Sequence, residues 1–194
     1  MSSEQADREI SGWPLRLKAA CAFAFVLCIA VASAEAKVFY AKPEALQLAF
    51  PGADRVENEI FFLREDQVEQ VQELARAPLD SKLVTIYVGR KAGEVIGYAY
   101  IDTHTVRTLP ETVLVVLSPD GAVRTLHMLA FYEPQEYLAP ERWLGQFEKK
   151  TLGPDLRVRR AIHGIAGSTL SAQAVTAAVR RALALYAVLL KGKR

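Results

Sequence analysis

The sequence predicts an α+β fold: an antiparallel sheet of hairpins packed against helices, behind an N-terminal signal or membrane anchor. Three observations carry this expectation. Two pairs of β-branched and aromatic runs flank short connectors with turn chemistry. Apolar residues recur at helical spacing over residues 65–76 and again in a long alanine-rich stretch over residues 168–190. A short uncharged run with a basic flank precedes both patterns.

The N-terminal elements come first. Residues 1–18 are polar and end with Arg16 and Lys18, and an uncharged run over residues 19–32 follows. Ser33-Ala34-Glu35-Ala36 then offers small-residue exits, so cleavage after Ala34 or Ala36 fits the signal pattern. The run also serves as an uncleaved anchor if it continues through Ala36. Both readings stay open, and in either one the basic flank places residues 37–194 outside the cytoplasm. Phe25-Val26-Leu27 lacks the small residues expected before a lipidated Cys28.

Within the exported part, residues 43–50 read as a short helix with Pro43 in its first turn and Leu46, Ala49 and Phe50 on one face. Residues 55–63 read as a strand. Residues 65–76 read as an amphipathic helix with Val68, Val71, Leu74 and Ala75 on one side and Pro78 ending it. Two hairpins follow. Strands over residues 83–88 and 95–101 flank Lys91-Ala92-Gly93, and strands over residues 112–117 and 122–129 flank Ser118-Pro119-Asp120-Gly121. The sheet is expected to carry its helices on one face. Residues 131–140 read as an aromatic and acidic loop, and residues 140–149 as a helix presenting Trp143, Leu144 and Phe147. The last helix, residues 168–190, turns Val175, Ala178, Val179, Ala182, Tyr186 and Leu189 toward the sheet. Arg180 and Arg181 interrupt its apolar run, which argues against a membrane span.

Composition narrows the function classes. Apolar residues make up 51% and charged residues 24%, a globular profile. A net charge of +2 without a basic-aromatic cluster gives no sign of a nucleic-acid partner. Cys21 and Cys28 both fall in the N-terminal run, so the exported part has no disulfide, thiolate nucleophile or cysteine metal site. His104, His127 and His163 lie far apart without ligand spacing, which argues against a metal centre. No Ser/His/Asp arrangement, Walker loop or dinucleotide fingerprint occurs.

One stretch carries chemistry. Ala166-Gly167-Ser168-Thr169-Leu170-Ser171 sits at the start of the last helix. Gly167 lets the backbone approach a ligand, the first-turn N–H groups face an anion, and the Ser168, Thr169 and Ser171 hydroxyls bond phosphate oxygens or accept a covalent attachment. The competing reading is an ordinary cap, in which Ser168 or Thr169 satisfies a backbone donor.

Ile165-Ala166-Gly167-Ser168-Thr169-Leu170-Ser171-Ala172-Gln173-Ala174-Val175 resembles the flavinylation motif of the FMN-binding domain family. That family includes the FMN-carrying subunits of Rnf-type electron-transport complexes and of the sodium-pumping NADH:quinone reductase. The motif is roughly D-x-x-S/T-G-A-S/T-x-S/T. Gly93-Glu94-Val95-Ile96-Gly97-Tyr98 resembles the family's G-x-x-x-G-Y strand, and Asp120-Gly121-Ala122-Val123 its D-G turn. Glu133-Pro134, with Trp143-Leu144 and Phe147 downstream, resembles its E-T-P loop and the helix after it. The similarity covers most of residues 83–190.

The resemblance implies an exported, membrane-associated electron carrier, a component of a redox chain rather than a stand-alone enzyme. FMN would be esterified to Thr169 by a flavin transferase, with redox proteins as partners. The site would comprise Ala166, Gly167, Ser168, Thr169, Leu170 and Ser171. Glu133 reads either as a solvated loop residue or as a hydrogen-bond partner of the flavin ring, and Tyr132, Tyr137 and Trp143 either as packing residues or as rings stacked on the flavin. Three positions depart from the pattern: His163 stands at the usual Asp, Ala166 at the first Ser/Thr and Ser168 at the Ala. Ser168, one position off register, is the alternative acceptor. The alternatives are a flavin-free binding or scaffold module of the same fold, and a noncovalent sensor of a phosphate ligand.

Overall fold

A computed structural model describes residues 37–192 of the chain. The expected signal or anchor, with both cysteines, lies outside the described residues. The fold is α+β. Its centre is a six-stranded, fully antiparallel sheet comprising β1 (Lys37–Val38), β2 (Arg55–Phe62), β3 (Leu83–Lys91), β4 (Glu94–Thr105), β5 (Pro110–Leu117) and β6 (Val123–Phe131). The spatial order is β1-β6-β5-β4-β3-β2. Among the described residues four α-helices accompany it: α1 (Lys42–Ala49), α2 (Glu65–Ala75), α3 (Glu141–Leu144) and α4 (Thr169–Leu185).

Both expected hairpins form, and their strands run further than their apolar runs. In the first, Ala92 and Gly93 both take positive φ, 50° and 85°. That pair of left-handed residues gives the tight turn whose twist matches the flanking strands. β4 continues past Ile101 to Thr105, and β5 starts at Pro110, so residues 102–105 pair across the sheet instead of forming a loop.

Helices cover both faces of the sheet rather than one. Val113 and Val115 of β5 face the core under α3 and α4, whereas Leu114 and Val116 face Ala45, Ala49 and Phe50 at α1. A strand apolar on both sides needs cover on both sides, and two alanines on α1 let that short helix lie close. The turn at α1 is closed by Ala41 N–H donating to Glu44 Oε2 at 2.9 Å.

Three helices differ from expectation at their ends. Arg76 (φ 54°) takes the left-handed conformation and its N–H closes on Gln72 O, so α2 ends at Ala75, three residues before Pro78. The helix expected over residues 140–149 is one α-turn, α3, followed by a tighter turn over Gly145–Phe147. It still buries Trp143, Leu144 and Phe147. The last helix is α-helical to Leu185 and finishes in a wider turn over Tyr186–Leu190, with Lys191 N–H on Tyr186 O.

The two arginines that interrupt the last helix are its anchors. Arg180 and Arg181 are 5% and 7% exposed. Arg180 donates to the final carbonyls of α2, Ala75 O at 2.6 Å and Leu74 O at 2.6 Å, and to Gly153 O at 2.8 Å. Arg181 grips Asp102 of β4 through two bonds, Nε to Oδ2 at 2.7 Å and an η nitrogen to Oδ1 at 2.6 Å. Asp102 Oδ1 also accepts from His104 Nδ1 at 2.7 Å, and His104 Nε2 meets Glu111 Oε1 of β5 at 2.7 Å. Glu111 is fully buried and its Oε2 has no partner.

This buried row has measurable consequences. Removing one member of a buried ion pair strands the other charge in a low-dielectric interior. Arg181→Met is expected to lower the unfolding free energy by about 3–5 kcal/mol in urea titration, and Arg181→Lys, which keeps the charge, by less. Burial opposes a charged His104, but its bonds to Asp102 and Glu111 outweigh that and lift its pKa from 6.5 to about 9. A raised folded pKa stabilises fully below the unfolded value of 6.5 and loses that contribution as pH rises through about 9. The melting temperature is therefore expected to fall across that window. His104→Gln is expected to melt lower at neutral pH and to show no such alkaline decline.

Candidate functional site

The stretch singled out in the sequence forms the N-terminal end of α4. Ile165 to Ser168 makes a turn closed by Ser168 N–H on Ile165 O at 3.1 Å, with Gly167 at φ 79°. That left-handed value suits glycine, and the space a Cβ would occupy is open. Thr169 is the first helical residue, and both it and Leu170 are exposed.

The ordinary-cap reading fails here. The N-cap residue, Ser168, makes no side-chain cap bond to α4. Ser168 is 4% exposed and its Oγ donates away from the helix, to Glu136 O at 3.1 Å. The first ladder bond is Ala172 N–H to Ser168 O, so the N–H groups of Thr169, Leu170 and Ser171 precede it. Its first turn contains no acidic residue. Ser171 Oγ lies on the same turn, is buried, and has no hydrogen-bond partner.

A cleft of about 280 Å³ opens against this helix start, lined by Gly167, Ser168, Thr169, Leu170, Ser171, Arg107 and Tyr137. Larger hollows, of about 430 and 480 Å³, lie elsewhere on the surface and contain none of the helix-start residues. Arg107 belongs to the turn between β4 and β5, and its guanidinium lies 5.0 Å from the centre of the Tyr137 ring. Sequence reasoning assigned Arg107 no role. Its one signal was a lone basic residue, Val106-Arg107-Thr108, between two β-rich runs.

Glu133 packs against the β4–β5 turn. It is buried, and its Oε1 accepts three backbone N–H groups of that turn: Arg107 at 3.0 Å, Thr108 at 2.8 Å and Leu109 at 2.9 Å. The Thr108, Leu109 and Arg107 amides outweigh burial and hold its pKa below the ordinary 4.5. Glu133 thus fixes the turn that carries Arg107, and that oxygen is committed to the turn rather than to a ring.

The remaining candidates divide. His163 is exposed at its side chain, while its backbone is stapled: its carbonyl accepts Trp143 Nε1 at 2.7 Å and its N–H donates to Gln146 Oε1 at 2.9 Å. Trp143 is a core residue, edge-on to Phe147 at 5.3 Å between ring centres. Tyr132 lines a hollow away from the helix start, with Tyr40 and Tyr87. Ala166 is exposed on the turn into α4. Of the three aromatic candidates, only Tyr137 reaches the cleft.

No known family profile matches the chain, and no curated protein is significantly similar to it in sequence.

Glu133→Ala is expected to free the β4–β5 turn. Amide hydrogen exchange at Arg107, Thr108 and Leu109 should accelerate while exchange in α2 stays slow. A depressed folded pKa stabilises above the unfolded value and is lost as pH falls below it. The same three amides should therefore lose protection in the wild type on acidification below the ordinary 4.5. The alanine variant should lack that pH dependence.

Proposed function

We propose that this protein is an exported, membrane-associated electron carrier that holds FMN by its phosphate at the start of α4, with Thr169 Oγ1 as the attachment atom. The observation that carries the reading is the uncapped helix start. A 17-residue helix presents free N–H groups and an exposed threonine hydroxyl to a cleft that also contains a cation. The resemblance of residues 165–175 to a flavinylation motif supports the same assignment.

The residues fit the phosphate end of the cofactor. The Leu170 and Ser171 N–H groups bind the anion's oxygens, and Gly167 leaves the approach clear. Thr169 would hold FMN as a phosphoester: its Oγ1–P bond would replace the bond from that phosphorus to the leaving group of an activated FMN donor, and the leaving group would carry off the threonine proton. Ser168, the alternative acceptor, is buried with its Oγ bonded to Glu136 O, so Thr169 is the exposed choice. FMN supplies the reversible uptake and release of electrons, and the protein supplies binding and orientation. A cleft of about 280 Å³ is at the small end for ligand sites. It would admit the phosphate group, held by the first-turn N–H groups and the lining side chains.

The test is intact mass and visible absorption of the full chain expressed in an exporting host that contains a flavin transferase. The expected result is yellow protein, heavier by FMN less one water, and an increment that vanishes in Thr169→Ala. Colourless protein of unmodified mass, beside a flavinylated positive control, sinks the reading and favours a flavin-free module of the same fold. Flavin that leaves on denaturation points to noncovalent holding.

A further inference from the structure

We propose that the phosphate site has a second wall: Arg107 of the β4–β5 turn is its cation, and Ser171 Oγ is its buried hydroxyl donor. The inference rests on the reading of the α4 start as the phosphate end of a flavin site. It adds Arg107, which the motif does not contain, and gives Ser171, the motif's last hydroxyl, a specific role.

Two independent observations point to an anion between these walls. The first is electrostatic. The N-terminal end of α4 carries the positive end of the helix dipole, and its first turn contains no acid. Arg107 adds a second positive group to the same cleft. Two positive walls with no acid between them repel, whereas an anion seated between them makes both favourable. Among the described residues the Arg107 guanidinium makes no ion pair with a carboxylate, and Glu133 acts on it only as a nearby charge; its ring contact is Tyr137 at 5.0 Å. The second observation is Ser171. It is 1% exposed, it lines the cleft, and its Oγ lacks a partner. A buried hydroxyl without a hydrogen bond is unfavourable, and a phosphate oxygen at the helix start supplies the missing acceptor.

The chemistry selects a phosphate monoester over a neutral ligand. A guanidinium offers planar paired donors that match phosphate oxygens, and stacking on Tyr137 limits the orientations it samples. Glu133 acts one step back as a positioning residue, since its three amide bonds set where the turn delivers Arg107. Riboflavin, which has the same ring and no phosphate, lacks the group that these donors recognise.

The experiment uses the full chain from a host without a flavin transferase, so that nothing is attached. Binding of FMN and of riboflavin is followed by flavin fluorescence, with inorganic phosphate as competitor. The expected result is FMN bound at least about tenfold more tightly than riboflavin, with phosphate competing. Arg107→Gln and Ser171→Ala should each weaken FMN by about tenfold or more without changing riboflavin. Arg107→Lys should recover part of the loss. Arg107 is exposed and Ser171 Oγ is unpartnered, so both variants should melt within a few degrees of the wild type.

Equal binding of FMN and riboflavin, no binding of either, or unchanged FMN affinity in Arg107→Gln overturns the proposal. The two readings fail separately. FMN selectivity lost in Arg107→Gln but no mass increment in the transferase host leaves this site standing and removes covalent attachment. A mass increment at Thr169 without FMN selectivity does the reverse.

Discussion

The docking of α4 through two adjacent buried arginines governs the rest of the structure. Consecutive helix residues point about 100° apart, so Arg180 and Arg181 reach different neighbours. Arg180 ties α4 to the C-terminal carbonyls of α2, where a cation suits the helix dipole. Arg181 ties it to Asp102 in the sheet. The apolar core between helix and sheet is non-directional and tolerates sliding. Two charge-assisted contacts in different directions fix both the rotation of the helix and its height along β4.

That constraint continues into the sheet. Asp102 and His104 share one face of β4, and Glu111 is the direct β5 partner of His104. With His104 protonated and both carboxylates ionised, the row from Arg181 to Glu111 holds two cations and two anions and is neutral as a unit, although burial pushes the Glu111 carboxyl up. Such a row is poor evidence of net stability, because an apolar replacement of matched shape often does as well. Its value is specificity: slipping β4 against β5 by one residue would turn Asp102 and His104 to the opposite face. Glu111 Oε2 remains without a partner at the end of the row, so this fold tolerates one unsatisfied oxygen for the pairing it directs.

Much of this fold was legible in the sequence. The hairpins, the three longer helices and the buried Trp143, Leu144 and Phe147 followed from period and turn residues. The second covered face was written in Val113 to Leu117, five apolar residues without alternation. The buried charge row was hidden because its members looked like loop. The apolar runs stop at Ile101 and begin at Thr112, whereas backbone pairing continues through Thr105 and Pro110. Ladder hydrogen bonds do not require apolar side chains, so composition understated both strands. Arg180 and Arg181 read as interruptions because one helix pattern does not reveal which acceptors another element brings. At the site, the hydroxyl cluster and Gly167 were visible. Arg107 was not, because Glu133 places it from 26 residues away in sequence.

The helix start and the arginine lock belong to one argument. From Arg180 to Thr169 is 11 residues, about 16 Å of rigid helix, so a lock at one end positions the other. A second tether acts at the near end, where Ser168 Oγ holds Glu136 O and thereby the segment that bears Tyr137. The other three helices each carry an acid in the first turn: Glu44 in α1, Glu65 and Asp66 in α2, and Glu141 in α3. Those acids offset the dipole locally. In α4 the one hydroxyl placed to cap is turned away, no acid replaces it, and the far end is held too firmly for the first turn to shift toward another acceptor. An N-terminus fixed in position and left without its own acceptor is suited to one supplied from outside the chain, and a phosphate provides several oxygens at once.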